Sequence, residues 1–249
     1  MEFADCLRVD DVRETIQRQI DYNTAIAEEG LRGDWGANIG SILLRSYGNS
    51  VHNRAKAYAA AGSDGRMNGC ELPVVINSGS GNQGLTASLP VIVYAKELDV
   101  SEDLLFRALV VSNLVTIHLK TGIGPLSAYC GATSAGCGAA AGVTYLYGGR
   151  YREIAHTIVN ALAINSGMIC DGAKESCGLK VSNAASEAWS AAMLALENRG
   201  IRNTQGIISP DIHELGITLR EFNEKIFSAA DSVMIGLMTR QNRSAESRA

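Results

Sequence analysis

Aromatic side chains are scarce in this chain, 6% of 249 residues; charged ones make up 19%, and there are only four prolines. A sheet sandwich draws much of its packing from aromatic and β-branched residues, so the shortage argues against one. Regular apolar–polar alternation is missing too, outside a short run at residues 74–76. Positive charge is sparse: 22 basic against 26 acidic residues, a formal net charge of -4, with the basic residues scattered. That excludes the dense Lys/Arg face a nucleic-acid partner requires. Long apolar runs are also lacking. The best, at 85–95 and 104–118, are short or carry Arg107, whereas a bilayer span takes about 20 apolar residues. Residues 1–6 show no basic segment leading into an apolar one, so no secretory signal is visible and a cytoplasmic protein without a membrane partner is expected. In that compartment the six cysteines point to metal or redox chemistry or to plain burial, and away from disulfides.

What is abundant is glycine, 26 residues, and alanine. Small side chains let helices approach closely, so the fold class expected is all-α: one domain over 1–249, a bundle of Ala/Gly-rich helices. Val12, Ile16, Ile20, Ala25 and Ile26 recur at helical spacing, which predicts an amphipathic helix over 10–32 with Asn23, Glu28 and Glu29 on its solvated side. Further helices are predicted over 37–47, 51–61, 101–120 (Ser101 as N-cap), 132–149, 152–167, 181–198 and 218–239, the last opened by a Thr218/Glu221 capping box. Residues 62–69, 121–129 and 206–216 read as loops, and 240–249 as a frayed tail. No fixed-period repeat is present. Helices without an obvious polar side point to a homo-oligomer.

Two stretches carry chemistry. In residues 170–177, Cys170 and Cys177 lie seven apart, about 10 Å along one face of an unbroken helix. Asp171-Gly172 between them instead predicts a turn that aims both sulfurs at one spot. Cys130 sits in another small-residue turn. Three converging thiolates suit an iron-sulfur cluster with one iron left open; spacing alone equally allows three buried, inert thiols. The second stretch is Asn77-Ser-Gly-Ser-Gly-Asn-Gln-Gly84. Its glycines free main-chain N–H groups to point at one spot, and the helix that follows, running to about residue 96 with Pro90 near its start or at a kink, adds partial positive charge. It has neither the P-loop Lys-Ser/Thr nor dinucleotide spacing, so a small carboxylate is the ligand predicted; a loop that merely caps a helix is the plainer reading. His52 is read as a surface or satisfied histidine, His118 as a helix-end or core residue, and Cys6, Cys70 and Cys137 as packing.

Taken in order, the 77–84 loop with Thr86 to Pro90, then Cys130-Gly-Ala entering an Ala/Gly helix, then Cys170-Asp-Gly-Ala-Lys-Glu-Ser-Cys177 resemble the serine dehydratase alpha-subunit-like family, on the branch of the iron-sulfur L-cysteine desulfidases. The resemblance runs from residue 10 to about 239. It implies that Cys130, Cys170 and Cys177 hold a 4Fe-4S cluster, and that the loop residues Asn77, Ser78, Ser80, Asn82 and Gln83 bind a small amino acid through its carboxylate. The activity implied is β-elimination from L-cysteine or L-serine, with the open iron as Lewis acid. Lys174 is the candidate for stabilising developing charge, or else an outward-facing lysine on the turn. Full-length members resembling this chain carry a further N-terminal region with its own cysteine- and glutamate-bearing motif. Either a separate subunit supplies that region as a partner, or this chain is a fragment of a longer protein, or activity has been lost; a non-catalytic partner chain or small-molecule binding module is the rival reading. Zinc on the same three cysteines is the rival metal.

Overall fold

The computed structural model describes residues 1–124, 127–201 and 206–246, with backbone alone from 241. The expected 121–129 turn contains Pro125 and Leu126, and the expected tail ends in 247–249; these lie outside the described residues. Among the described residues there is no strand, only the isolated bridges Asn77–Ser80 and Tyr129–Ile169, and the class is all-α. The helices are α1 (Glu2–Cys6), α2 (Arg13–Arg32), α3 (Ile39–Tyr47), α4 (Val51–Met67), α5 (Gly81–Glu97), α6 (Glu102–Ile123), α7 (Gly131–Leu146), α8 (Tyr151–Asn165), α9 (Ser176–Leu196), α10 (Ile212–Phe222) and α11 (Ser228–Glu246), the last two joined by a π-helical turn.

The small-residue helix is the axis of the bundle. Every residue of α7 from Ala132 to Leu146 is buried, and α5, α6, α8 and α9 pack around it. Glycine makes this possible at two contacts: a Cβ at Gly138 would collide with Thr116 and the Ser112 carbonyl on α6, and one at Gly136 with Ala184 on α9. A second helix, α4, is enclosed by α2, α3, α5 and α9. By length and composition α6 could cross a bilayer; half of its apolar window is buried, and it packs on α5 and α7.

Several expectations are corrected. Residues 62–69 are not a loop: α4 continues to Met67, with Gly62, Ser63, Asp64 and Gly65 buried. A helix buried on nearly all sides has no polar face to set a period, and its polar residues are there for tertiary partners. Asp64 accepts from the Ile39 N–H at 2.6 Å, capping α3 from another helix. Asn23 is fully buried rather than solvated. α9 begins five residues earlier than expected, at Ser176, so Cys177 lies in its first turn. The Thr218/Glu221 capping box does not form. Asp211 is the N-cap, accepting from His213 N at 2.8 Å and Glu214 N at 3.2 Å, while Thr218 lies inside α10 with its hydroxyl on the Glu214 carbonyl. α11 continues through the start of the expected tail to Glu246. Pro90 lies inside α5, Cys6 is exposed, and His118 is exposed on α6, not in the core.

Candidate three-cysteine and amino-acid site

The cysteine segments are clipped together by backbone. Cys130 N donates to the Met168 carbonyl at 3.1 Å and Cys170 N to the Ala128 carbonyl at 2.7 Å, around the antiparallel bridge Tyr129–Ile169. In such a clip the residues flanking the bridge point to the face opposite it, so Cys130 and Cys170 share one face as a diagonal pair, about 7–8 Å apart. Cys177 arrives from the third direction. Gly172 turns the chain at φ +101, and the Cys177 thiol lies 3.5 Å from the Gly172 carbonyl. The turn is held by Asp171, which accepts from Ser176 Oγ at 3.2 Å and pairs with Lys174 at 3.0 Å and with Lys180. Desolvation pushes the Asp171 pKa up, but the Lys180 and Lys174 hydrogen bonds outweigh it and hold the carboxyl down at about 2. The charge of Lys174 is thus engaged on the turn itself, and its side chain is 57% exposed.

Burial pushes the Cys130 thiol up, and Cys170 and Cys177 both push it further, while the Ala132 N–H and Lys180 oppose them; Cys170 and Cys177 thus both lie within electrostatic reach of Cys130. Among the described residues no three His, Cys, Asp or Glu groups are gathered tightly enough to enclose one metal ion. Cys137 is fully buried in α7 with its thiol pushed up by desolvation, a packing residue as expected.

The glycine loop lies against this site. Asn77 and Ser80 exchange both backbone hydrogen bonds at 3.2 Å, with Ser78 at φ 48 and Gly79 at φ 95, the left-handed pair of a tight hairpin turn. Asn77 donates to Asn113 Oδ1 on α6 at 2.8 Å and accepts from Ser78 Oγ at 2.7 Å, so both side chains are already engaged. Asn23 braces it from below, accepting from Val75 N at 2.8 Å and donating to Ser88 Oγ at 2.9 Å. Ser80 is the N-cap of α5 without a side-chain cap bond. Asn82 Oδ1 and Gln83 Oε1, in the first turn of α5, are buried and lack a hydrogen-bond partner among the described residues. Gln83 is the link between loop and cysteines: a Cβ on Gly131, the residue after Cys130, would strike its amide.

Sequence reasoning passed over Lys120 and the bracing polar residues. Lys120 is 5% exposed; burial lowers its pKa, while the nearby Cys130 and Cys170 act to raise it. In sequence it reads as a lysine closing an apolar helix against the dipole, and only the packing of α6 on α7 brings it to the thiols. A recess between α8 and α9, lined by Asn160, Ile164, Leu194 and Arg199, contains none of the candidate residues.

A UPF0597 protein of Desulfitobacterium hafniense is 54% identical over 97% of this chain and 56% of its own length. One from Lachnoclostridium phytofermentans is 50% identical over 96% and 57%, and one from Fusobacterium nucleatum 46% identical over 96% and 57%. The chain thus spans a little over half the length of these relatives. No solved structure matches. The family model described as serine dehydratase alpha chain matches residues 3–226, and the chain belongs to that family.

Proposed function

We propose that this chain is the iron-sulfur-bearing component of a lyase that removes the β-substituent of L-cysteine or L-serine. The observation that carries this reading is the clip placing Cys130 and Cys170 on one face, next to Cys177 and to the unpartnered amide oxygens of the glycine loop. Cys130, Cys170 and Cys177 would hold a 4Fe-4S cluster. When bound, the cluster supplies a Lewis-acidic iron that makes the β-hydroxyl or β-thiol a better leaving group. The protein's own part is to hold the amino acid at the start of α5, where the uncapped first-turn amides and the Asn82 and Gln83 oxygens orient it, and to place its β-carbon beside the thiols. Loss of the α-proton and of sulfide or water gives aminoacrylate, which takes up water to yield pyruvate and ammonia.

The test is anaerobic reconstitution with iron and sulfide. About four irons and four sulfides per chain, and pyruvate from L-cysteine or L-serine, are expected; a chain that takes up neither iron nor sulfide ends the proposal. Cys170→Ala is expected to lower cluster content, and full retention would remove it from the ligand set. A second reading rests on the share of the relatives' length covered: this chain acts with a further polypeptide, which supplies the α-proton base. Pyruvate formation only after adding the uncovered part of a relative would establish that split.

A further inference from the structure

Among the described residues no Asp or Glu carboxylate pairs with the ammonium of Lys120. It lies on the last turns of α6 at 5% exposure, and among the described residues it forms no hydrogen bond or ion pair. Lysines this buried are ordinarily found paired, and the ionisable groups that act on this one are the Cys130 and Cys170 thiols. On the neighbouring element the imbalance has the opposite sign. Gln83, 6% exposed, and Asn82 each present a buried amide oxygen without a donor. Cys130 adjoins both groups: its thiol acts on Lys120, and the residue after it packs on the Gln83 amide. One side of the site therefore carries an ammonium with no carboxylate on it, and another carries amide oxygens without a hydrogen-bond donor.

We propose that Lys120 is the carboxylate anchor of an α-amino-acid site whose ammonium end is taken by the side-chain oxygens of Asn82 and Gln83. A zwitterionic amino acid supplies both missing partners at once, and its side chain is left directed toward Cys130 and Cys170. This assigns the carboxylate to α6 and gives the glycine loop the amine. The inference deepens the proposed function by naming how that same pocket holds its substrate.

Calorimetric titration of the full chain with L-serine and with L-serinamide, which lacks the carboxylate, tests it. L-Serine is expected to bind roughly 10- to 100-fold more tightly than the amide. Lys120→Met should abolish that preference and Lys120→Arg should keep part of it. Gln83→Leu should weaken both ligands alike, since both carry the ammonium. A wild-type chain with no preference, or a Lys120→Met chain that keeps it, overturns the anchor; an unchanged affinity in Gln83→Leu overturns the amine site. Should Lys120→Met fail to fold, the two ligands on the wild-type chain and on Lys120→Arg still decide. Turnover separates this from the parent reading. A chain that binds L-serine through Lys120 yet makes no pyruvate after reconstitution loses the lyase and keeps the anchor; one that makes pyruvate while Lys120→Met retains the preference loses the anchor alone.

Discussion

Asp64 has no exposure to solvent, and its Oδ1 has no hydrogen-bond partner. Desolvation raises its pKa from the ordinary 3.8 to about 6, against the pull of the Ile39 and Gly40 N–H groups. Between those two values the folded chain holds more protons than the unfolded one, so this group makes stability fall as pH rises from about 4 to about 6, with no further change above. The penalty at neutral pH is on the order of 2–3 kcal/mol. Asp64→Asn keeps an oxygen for one capping N–H and removes the charge. Urea midpoints measured at pH 4 and pH 7 should show the variant gaining on the wild type as pH rises; a constant difference would mean that Asp64 does not titrate in this window. At Gly131 the neighbour of an added Cβ is the far end of the flexible Gln83 side chain. Gly131→Ala is therefore expected to change stability by less than about 1 kcal/mol while lowering L-serine affinity roughly tenfold through displacement of that amide. Equal affinities would detach Gln83 from the site. Neither residue advertises its role in sequence: a polar residue in an alanine-rich segment and a glycine after a cysteine are both read as loop chemistry.

At the scale of elements, the contest is between helix propensity and interhelical distance. Alanine in place of a helical glycine ordinarily gains about 1 kcal/mol. At Gly30 a Cβ would run into the Ala61 backbone of α4, which cannot move aside as a side chain can, and overpacking of this kind costs about 1–3 kcal/mol. Gly30→Ala should therefore destabilise on balance, seen as a lower denaturant midpoint at unchanged slope; a stabilised variant would mean that α2 and α4 separate freely. The sequence period was informative where a helix has two unlike faces, as in α2, and uninformative where it has one. α4 and the start of α9 illustrate this. Gly62 to Gly65 lie between Ile26 and Leu85, and Gly178 against Ile39 and Asp64, so their glycines serve close approach where sequence alone suggests an end.

For the whole molecule, two hydrophobic clusters divide the interior. The smaller contains Leu85, Leu89, Val181 and Cys130, with Met168 and Cys170 at its edge, so the cysteine site stands on a packed floor rather than on a free loop. Each large apolar side chain in that floor contributes about 1.5–3 kcal/mol on burial. Leu85→Ala is accordingly expected to cost about 2–5 kcal/mol and to lower cluster content together with stability. Full cluster content at a reduced denaturant midpoint would show the site to be independent of this floor.

The residues alone determined that the chain is helical and that its glycine-rich loop opens a helix, because small-residue composition and turn chemistry are local properties; Cys130, Cys170 and Cys177 were favoured as a group over three inert thiols only through the family resemblance. Tertiary structure alone decided that the first two thiols share a face and that Asn23 and Asp64 are interior. It also decided that Lys120 lies buried near the Cys130 and Cys170 thiols. Those facts depend on which helix covers which, and a one-dimensional pattern records the period of a face but not the identity of what lies against it.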